Sequence, residues 1–99
     1  MTKGNKYLWT NRALAHLKRE DYDSAIDDCS KILEYCEVLE NGYTRSKDAA
    51  FKALFRRALG YKGKEEYKLA MDDVTEAKKL FSDDQGLIEF EKELARLVQ

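Results

Sequence analysis

Ninety-nine residues with no proline, five glycines, 43% apolar and 37% charged side chains describe one soluble, strongly helical domain rather than a disordered chain. No apolar run approaches the roughly 18 residues that span a bilayer, and no apolar leader opens the chain. The net charge of −1 gives no overall bias toward nucleic acid or an acidic membrane surface.

Helical periodicity and turn signals predict five helices. The first runs from about Asn5 to Lys18 and carries Leu8, Trp9, Ala13, His16 and Leu17 at helical spacing. Asp21 caps a second, whose stripe of Tyr22, Ala25, Ile26, Cys29, Ile32, Leu33 and Cys36 continues to about Leu39. Asn41-Gly42 marks a turn. A third helix begins near Ser46, passes through Ala50, Leu54, Ala58 and Tyr61, and is interrupted by Gly63. The fourth holds Tyr67, Ala70, Met71, Val74 and Ala77 and ends near Phe81. Ser82-Asp83-Asp84-Gln85 has capping-box form, with Ser82 as the cap, and opens a last helix bearing Leu87, Phe90, Leu94 and Leu97.

The chain repeats itself. Residues 11–29, NRALAHLKREDYDSAIDDC, and 56–74, RRALGYKGKEEYKLAMDDV, share eight identities in nineteen positions at an offset of 45. Small residues (Ala13 and Ala58, Ala25 and Ala70) stand opposite aromatics (Tyr22 and Tyr67) at fixed register, as two packed antiparallel helices require. Trp9 or Leu54, then Ala13 or Ala58, Tyr22 or Tyr67, and Ala25 or Ala70 fall where tetratricopeptide repeats carry their signature, and the chain resembles that family over residues 6–39 and 51–84. The resemblance implies an all-α fold of antiparallel helix pairs stacked as a short right-handed solenoid. Residues 40–50 form an extended linker and 84–98 a capping helix. The family period is about 34 residues, so 11 extra residues lie around LENGYTRSKDA and are expected to project beyond the usual repeat. Stability usually needs about three repeats, and two are present.

Charge is segregated by helix. Residues 1–19 sum to +5, 20–40 to −7, 41–64 to +6 and 65–99 to −5, so the first helix of each pair is basic and the second acidic. In the repeat architecture the first helices line the concave surface, which makes a positive groove that recruits acidic ligands. Charge balance between neighbouring helices is the plainer reading of the same numbers. Lys52 and Arg56 lie one turn apart on one helix face, and Asn11 occupies the repeat position of Arg56. An ammonium, a planar guanidinium and a neutral amide facing one cavity suit a carboxylate.

Asn11-Arg12-Ala13 and Lys52-Ala53-Leu54-Phe55-Arg56 resemble the dicarboxylate clamp of tetratricopeptide co-chaperones. The resemblance implies a partner, the acidic C-terminal tail of a ninety- or seventy-kilodalton heat-shock chaperone. Asn11, Lys52 and Arg56 would grip its terminal carboxylates, while Leu14, Leu17 and Lys18 contact the aliphatic residue before them. The family's first repeat supplies a further Lys and Asn that this chain lacks, which reads as a fragment of a longer protein. The outer face of the first helix is then left exposed or used in self-association.

The alternative is an adaptor or assembly-factor scaffold for another protein, with the extension around Asn41 to Asp48 as its surface. Some axonemal dynein assembly factors of the repeat family resemble the chain in carrying long insertions at this place. Neither an enzyme nor a cofactor or metal site is expected. The lone His16 sits at a scaffold position matched by Tyr61, and no phosphate loop or metal-ligand spacing occurs. Asp27-Asp28 and Asp72-Asp73 read as solvated acids. Cys29 and Cys36, seven residues apart, read as buried thiols, which fits a reducing, cytoplasmic setting. No nucleic-acid reading motif or membrane-surface helix is expected; among the tyrosines, Tyr7 and Tyr43 alone lack a scaffold role.

Overall fold

A computed structural model describes residues 6–39 and 47–98, and the side chains of 9–37 and 47–98. It contains five helices and, among the described residues, no strand: α1 (Lys6–Lys18), α2 (Tyr22–Leu39), α3 (Lys47–Gly63), α4 (Tyr67–Leu80) and α5 (Gln85–Leu97). The Asn5 start, the Asn41-Gly42 turn, the projecting extension at 40–46, and the side chains of Tyr7, Leu8 and Tyr43 lie outside the described residues. Helix α1 packs on α2, α2 on α3, α3 on α4 and α4 on α5, while α1 also lies against α3. The result is two helix pairs stacked as a short solenoid of tetratricopeptide type and closed by α5.

Both pairs turn in the same way. The peptide N–H of Glu20 bonds the Leu17 carbonyl at 3.0 Å and that of Asp21 bonds the His16 carbonyl at 2.8 Å. Forty-five residues on, Glu65 bonds Lys62 at 2.9 Å and Glu66 bonds Tyr61 at 2.8 Å. These paired bonds close a helix with its following residue in the left-handed region, where Glu20 and Glu65 stand at φ 60° and 62°. The restart differs. Asp21 accepts from the Ser24 N–H at 3.4 Å, and the Ser24 hydroxyl, aided by that N–H, holds its carboxyl below its ordinary value. Glu66, one methylene longer, makes no cap. At the start of α5 the cap is Asp84, which accepts from the Leu87 N–H at 2.9 Å, and not Ser82. Phe81 packs edge-on against Phe51 at 5.2 Å and leaves α4 extended, so the next three residues are consumed in turning.

The core is continuous through both pairs: Ile32, Leu54, Val74, Leu87 and Leu94 are each fully buried, at about 1.5–3 kcal/mol apiece. Cys29 and Cys36 are buried among them and not joined in a disulfide, and burial pushes the Cys29 thiol up to about 12. Close approach of α2 to α3 depends on two glycines. The Tyr22 ring fills the place where a Cβ on Gly63 would stand, and a Cβ on Gly60 would lie 2.9 Å from Ile26 Cγ1. Phe90 of α5 stacks on Phe55 of α3 at 5.3 Å, which seats the closing helix on the second pair.

The paired acids divide unequally, which corrects their reading as solvated. Asp27 and Asp72 are exposed, whereas Asp28 and Asp73 are 2% and 4% exposed. Asp28 accepts from Arg12 Nη2 and Nε at 2.9 and 3.2 Å, and Asp73 from Arg57 Nη2 and Nε at 2.7 and 2.8 Å. Each is a two-pronged pair tying the two helices of one copy together. Burial raises the Asp73 carboxyl above its ordinary value while Arg57 opposes the rise.

Candidate functional site

The site follows from the α1–α3 contact. Arg56 Nη1 reaches across to the Thr10 carbonyl oxygen at 2.8 Å, which sets its guanidinium beside the turn of α1 that holds Asn11. Lys52 is exposed one turn before Arg56 on α3. Asn11 is exposed on α1, Leu14 follows at 37% exposure, and Lys18 is exposed at the helix end. Leu17 is half-buried and lines a shallow groove with Tyr22, Leu59, Lys62 and Gly63. The structure thus brings Arg56 to the neighbourhood of Asn11. Leu17 stands at the other end of the same two helices, about 10 Å away.

The pattern of ion pairing separates this surface from ordinary charge balance. Lys31, Lys62, Lys64, Lys78 and Lys79 each hold a carboxylate, at 3.2, 2.6, 2.5, 3.1 and 3.0 Å, and Arg12 and Arg57 hold the buried aspartates. Among the described residues Lys18 and Lys52 have no carboxylate partner, and Arg56 keeps Nε and Nη2 without an acceptor. Lys68, Lys92 and Arg96, toward the opposite end of the molecule, likewise hold no carboxylate among the described residues, nor do Arg19, which lies against His16, and Lys47, which stands over the Phe81 ring. The unneutralised cations on α1 and α3 therefore face anions from solvent, with donors of the kinds that a carboxylate accepts from.

His16 sits where Tyr61 sits in the second copy. Its Nε2 is 3.5 Å from Asp28, its Nδ1 is 3.7 Å from Asp21, and Arg19 Nη2 lies 3.4 Å from the same Nδ1. Among the described residues no cluster of His, Cys, Asp and Glu is arranged to hold a metal ion, and no helix is long and apolar enough to cross a membrane. A second groove, lined by Glu65, Glu66, Tyr67, Lys68, Leu69, Leu97 and Val98, lies at the crossing of α4 and α5.

Sequence reasoning missed the two arginine–aspartate pairs that fix α1 to α2 and α3 to α4. Their signal was present: arginine and aspartate keep the same separation of 16 in both copies. No family model matches the chain. It is 30% identical over 92 residues to sperm-associated antigen 1 of Homo sapiens, a match covering 93% of this chain and 8% of that protein. It is also 39% identical over 66 residues to sperm-associated antigen 1 of Rattus norvegicus, covering 67% of this chain and 6% of that one. The chain spans less than a tenth of the length of the curated relatives it matches, and to them it is distantly similar.

Proposed function

We propose that the chain is a protein-interaction module that performs no chemistry and binds an acidic C-terminal peptide on the surface shared by α1 and α3. The peptide is the tail of a ninety- or seventy-kilodalton heat-shock chaperone. The observation that carries this reading is Arg56 reaching over to Thr10, which sets it beside Asn11 with the unpaired Lys52 one turn away. Lys52 and the free edge of Arg56 hold the terminal carboxylates, Asn11 donates its amide, and Leu14, Leu17 and Lys18 receive the aliphatic part of the chain before them. Pairing of Lys62, Lys64 and Lys78 with carboxylates of the fold adds support, since Lys52 and the free edge of Arg56 keep their charge for a ligand.

Fluorescence anisotropy of a labelled acidic chaperone-tail peptide with a free C-terminal carboxylate tests the reading. The expected dissociation constant is near 1 μM, about 8 kcal/mol, weakened by salt. Lys52→Ala and Arg56→Ala should each reduce affinity about tenfold or more, and Lys79→Ala, whose partner is Glu76 at 3.0 Å, should not. Equal binding of a C-terminally amidated peptide, or indifference to Lys52→Ala, would discard the clamp in favour of a module for another protein ligand.

A further inference from the structure

Lys62 lines the groove of Leu17, Tyr22, Leu59 and Gly63, yet its ammonium is held by Glu93 of α5 at 2.6 Å. Lys31, Lys64, Lys78 and Lys79 also hold carboxylates, but none of them lines this groove. The pair with Glu93 is open to water, with 32% of the Lys62 side chain and 43% of the Glu93 side chain exposed. A pair of that kind contributes little to the fold, and a lysine on its flexible four-carbon stem can exchange one carboxylate for another. Lys62 also stands within reach of a ligand held at Arg56. It follows Arg56 by six residues on α3, a rise of about 9 Å, which an extended peptide covers in about three residues. The stacking of Phe90 on Phe55 seats α5 beside α3, and Glu93, about one turn beyond Phe90, meets Lys62 from that flank.

We propose that Lys62 is a further ligand-reading cation of the carboxylate groove and that Glu93 is its built-in competitor. A peptide with an acidic side chain about three residues before its C-terminal carboxylate takes Lys62 from Glu93. The inference rests on the reading of the α1–α3 surface as a groove for such a peptide, and it adds a demand on the ligand's sequence. In the free chain the Glu93 carboxylate stands where the ligand's acid would act. Exchange replaces one half-exposed ion pair by another, so the upstream acid gains little affinity until Glu93 is neutralised. A ligand with a neutral residue at that place leaves Lys62 on Glu93. An acidic one breaks this tie between α3 and α5, so the closing helix responds to what the groove holds.

The probes are a labelled peptide ending Leu-Glu-Ala-Ala-Asp with a free carboxylate, and its twin with glutamine in place of glutamate, titrated into the whole chain by anisotropy. Glu93→Gln, nearly isosteric at a half-exposed position, should tighten the glutamate peptide about threefold, the size of an exposed ion pair, and leave the glutamine peptide unmoved. With Lys62→Met the two peptides should bind alike, and adding Glu93→Gln to that variant should change neither. Asp23→Asn, which takes a carboxylate from Lys64 outside the groove, should favour neither peptide. In the unaltered chain the amides around Glu93 should shift with the glutamate peptide and stay in place with its twin. Equal gains for both peptides on Glu93→Gln, or a matching gain from Asp23→Asn, would overturn the inference. So would indifference to Glu93→Gln while Lys52→Ala still weakens binding, an outcome that leaves the carboxylate groove standing. Absence of binding in every variant, or indifference of both peptides to Lys52→Ala, would remove the groove and this inference with it.

Discussion

The two copies hold the same arginine–aspartate pair in different surroundings. In the second, Arg57 is 23% exposed, enclosed by α2 through Ser30 and by the Tyr61 ring, whose centroid is 5.9 Å away. In the first, Arg12 is 47% exposed and His16 stands where Tyr61 would be. The sequence of the pair is identical, so the difference comes from what is stacked on it. An ion pair of this kind is worth most to the fold where water cannot replace either partner.

The strongest test of that contrast is truncation of each acid. Asp73→Ala leaves Arg57 enclosed without its anion and should cost about 3–5 kcal/mol, whereas Asp28→Ala leaves a half-exposed Arg12 that water reaches and should cost about 1–2 kcal/mol. Urea denaturation of the two variants reads the difference, and equal losses would mean that stacking does not set the strength of the pair. Next in size is Gly63→Ala, where the added methyl meets the Tyr22 ring. About 1–3 kcal/mol of overpacking is expected, and combining the change with Tyr22→Leu should recover part of it, a coupling that a double-mutant cycle measures. At the repeat-equivalent Lys18, on which no described helix is seated, Lys18→Ala should change stability by no more than about 0.5 kcal/mol, read as an essentially unmoved thermal midpoint.

Helix starts give a smaller contrast that runs the other way. Asp21 caps α2 and Glu66 leaves α4 uncapped, so Glu66→Asp should stabilise the chain by about 0.5–1 kcal/mol, seen as a rise in thermal midpoint. Cys29 and Val74 are repeat mates in the core, and Cys29→Val should change stability at neutral pH by less than about 1.5 kcal/mol. The effect of pH has a definite sign. The folded thiol stands at about 12 against an ordinary 9.0, so the unfolded chain ionises first and stability declines as pH rises from 9 toward 12. Cys29→Val should remove that part of the alkaline decline, measured as unfolding free energy against pH.

The helices and their pairing were legible because the apolar stripes carry a period of 3.6 and the chain repeats it. What escaped was contact between distant positions and the choice among equivalent caps. Ser82 and Asp84 are both good cap residues, and the packing of Phe81 on Phe51, which no local pattern encodes, decided for Asp84. Asp28 and Asp73 looked solvated because each follows an exposed aspartate, although a one-residue step on a helix turns a side chain by about 100°. The cations of the candidate site were visible by repeat register. Which of them stay unpaired was not, because their would-be partners lie on other helices: Lys62 finds Glu93 31 residues away and Lys64 finds Asp23 41 away.

The aromatic residues are unevenly shared between the copies. Trp9, the one tryptophan, meets Tyr35 edge-on with centroids 6.3 Å apart in the first pair, while Phe51, Phe55, Phe81 and Phe90 gather in the second pair and α5. Indole emission therefore watches one end of the solenoid, and far-ultraviolet dichroism watches all of it. If the first pair opens before the second, the emission midpoint precedes the dichroism midpoint, and the molecule carries its own optical report of which repeat lets go first.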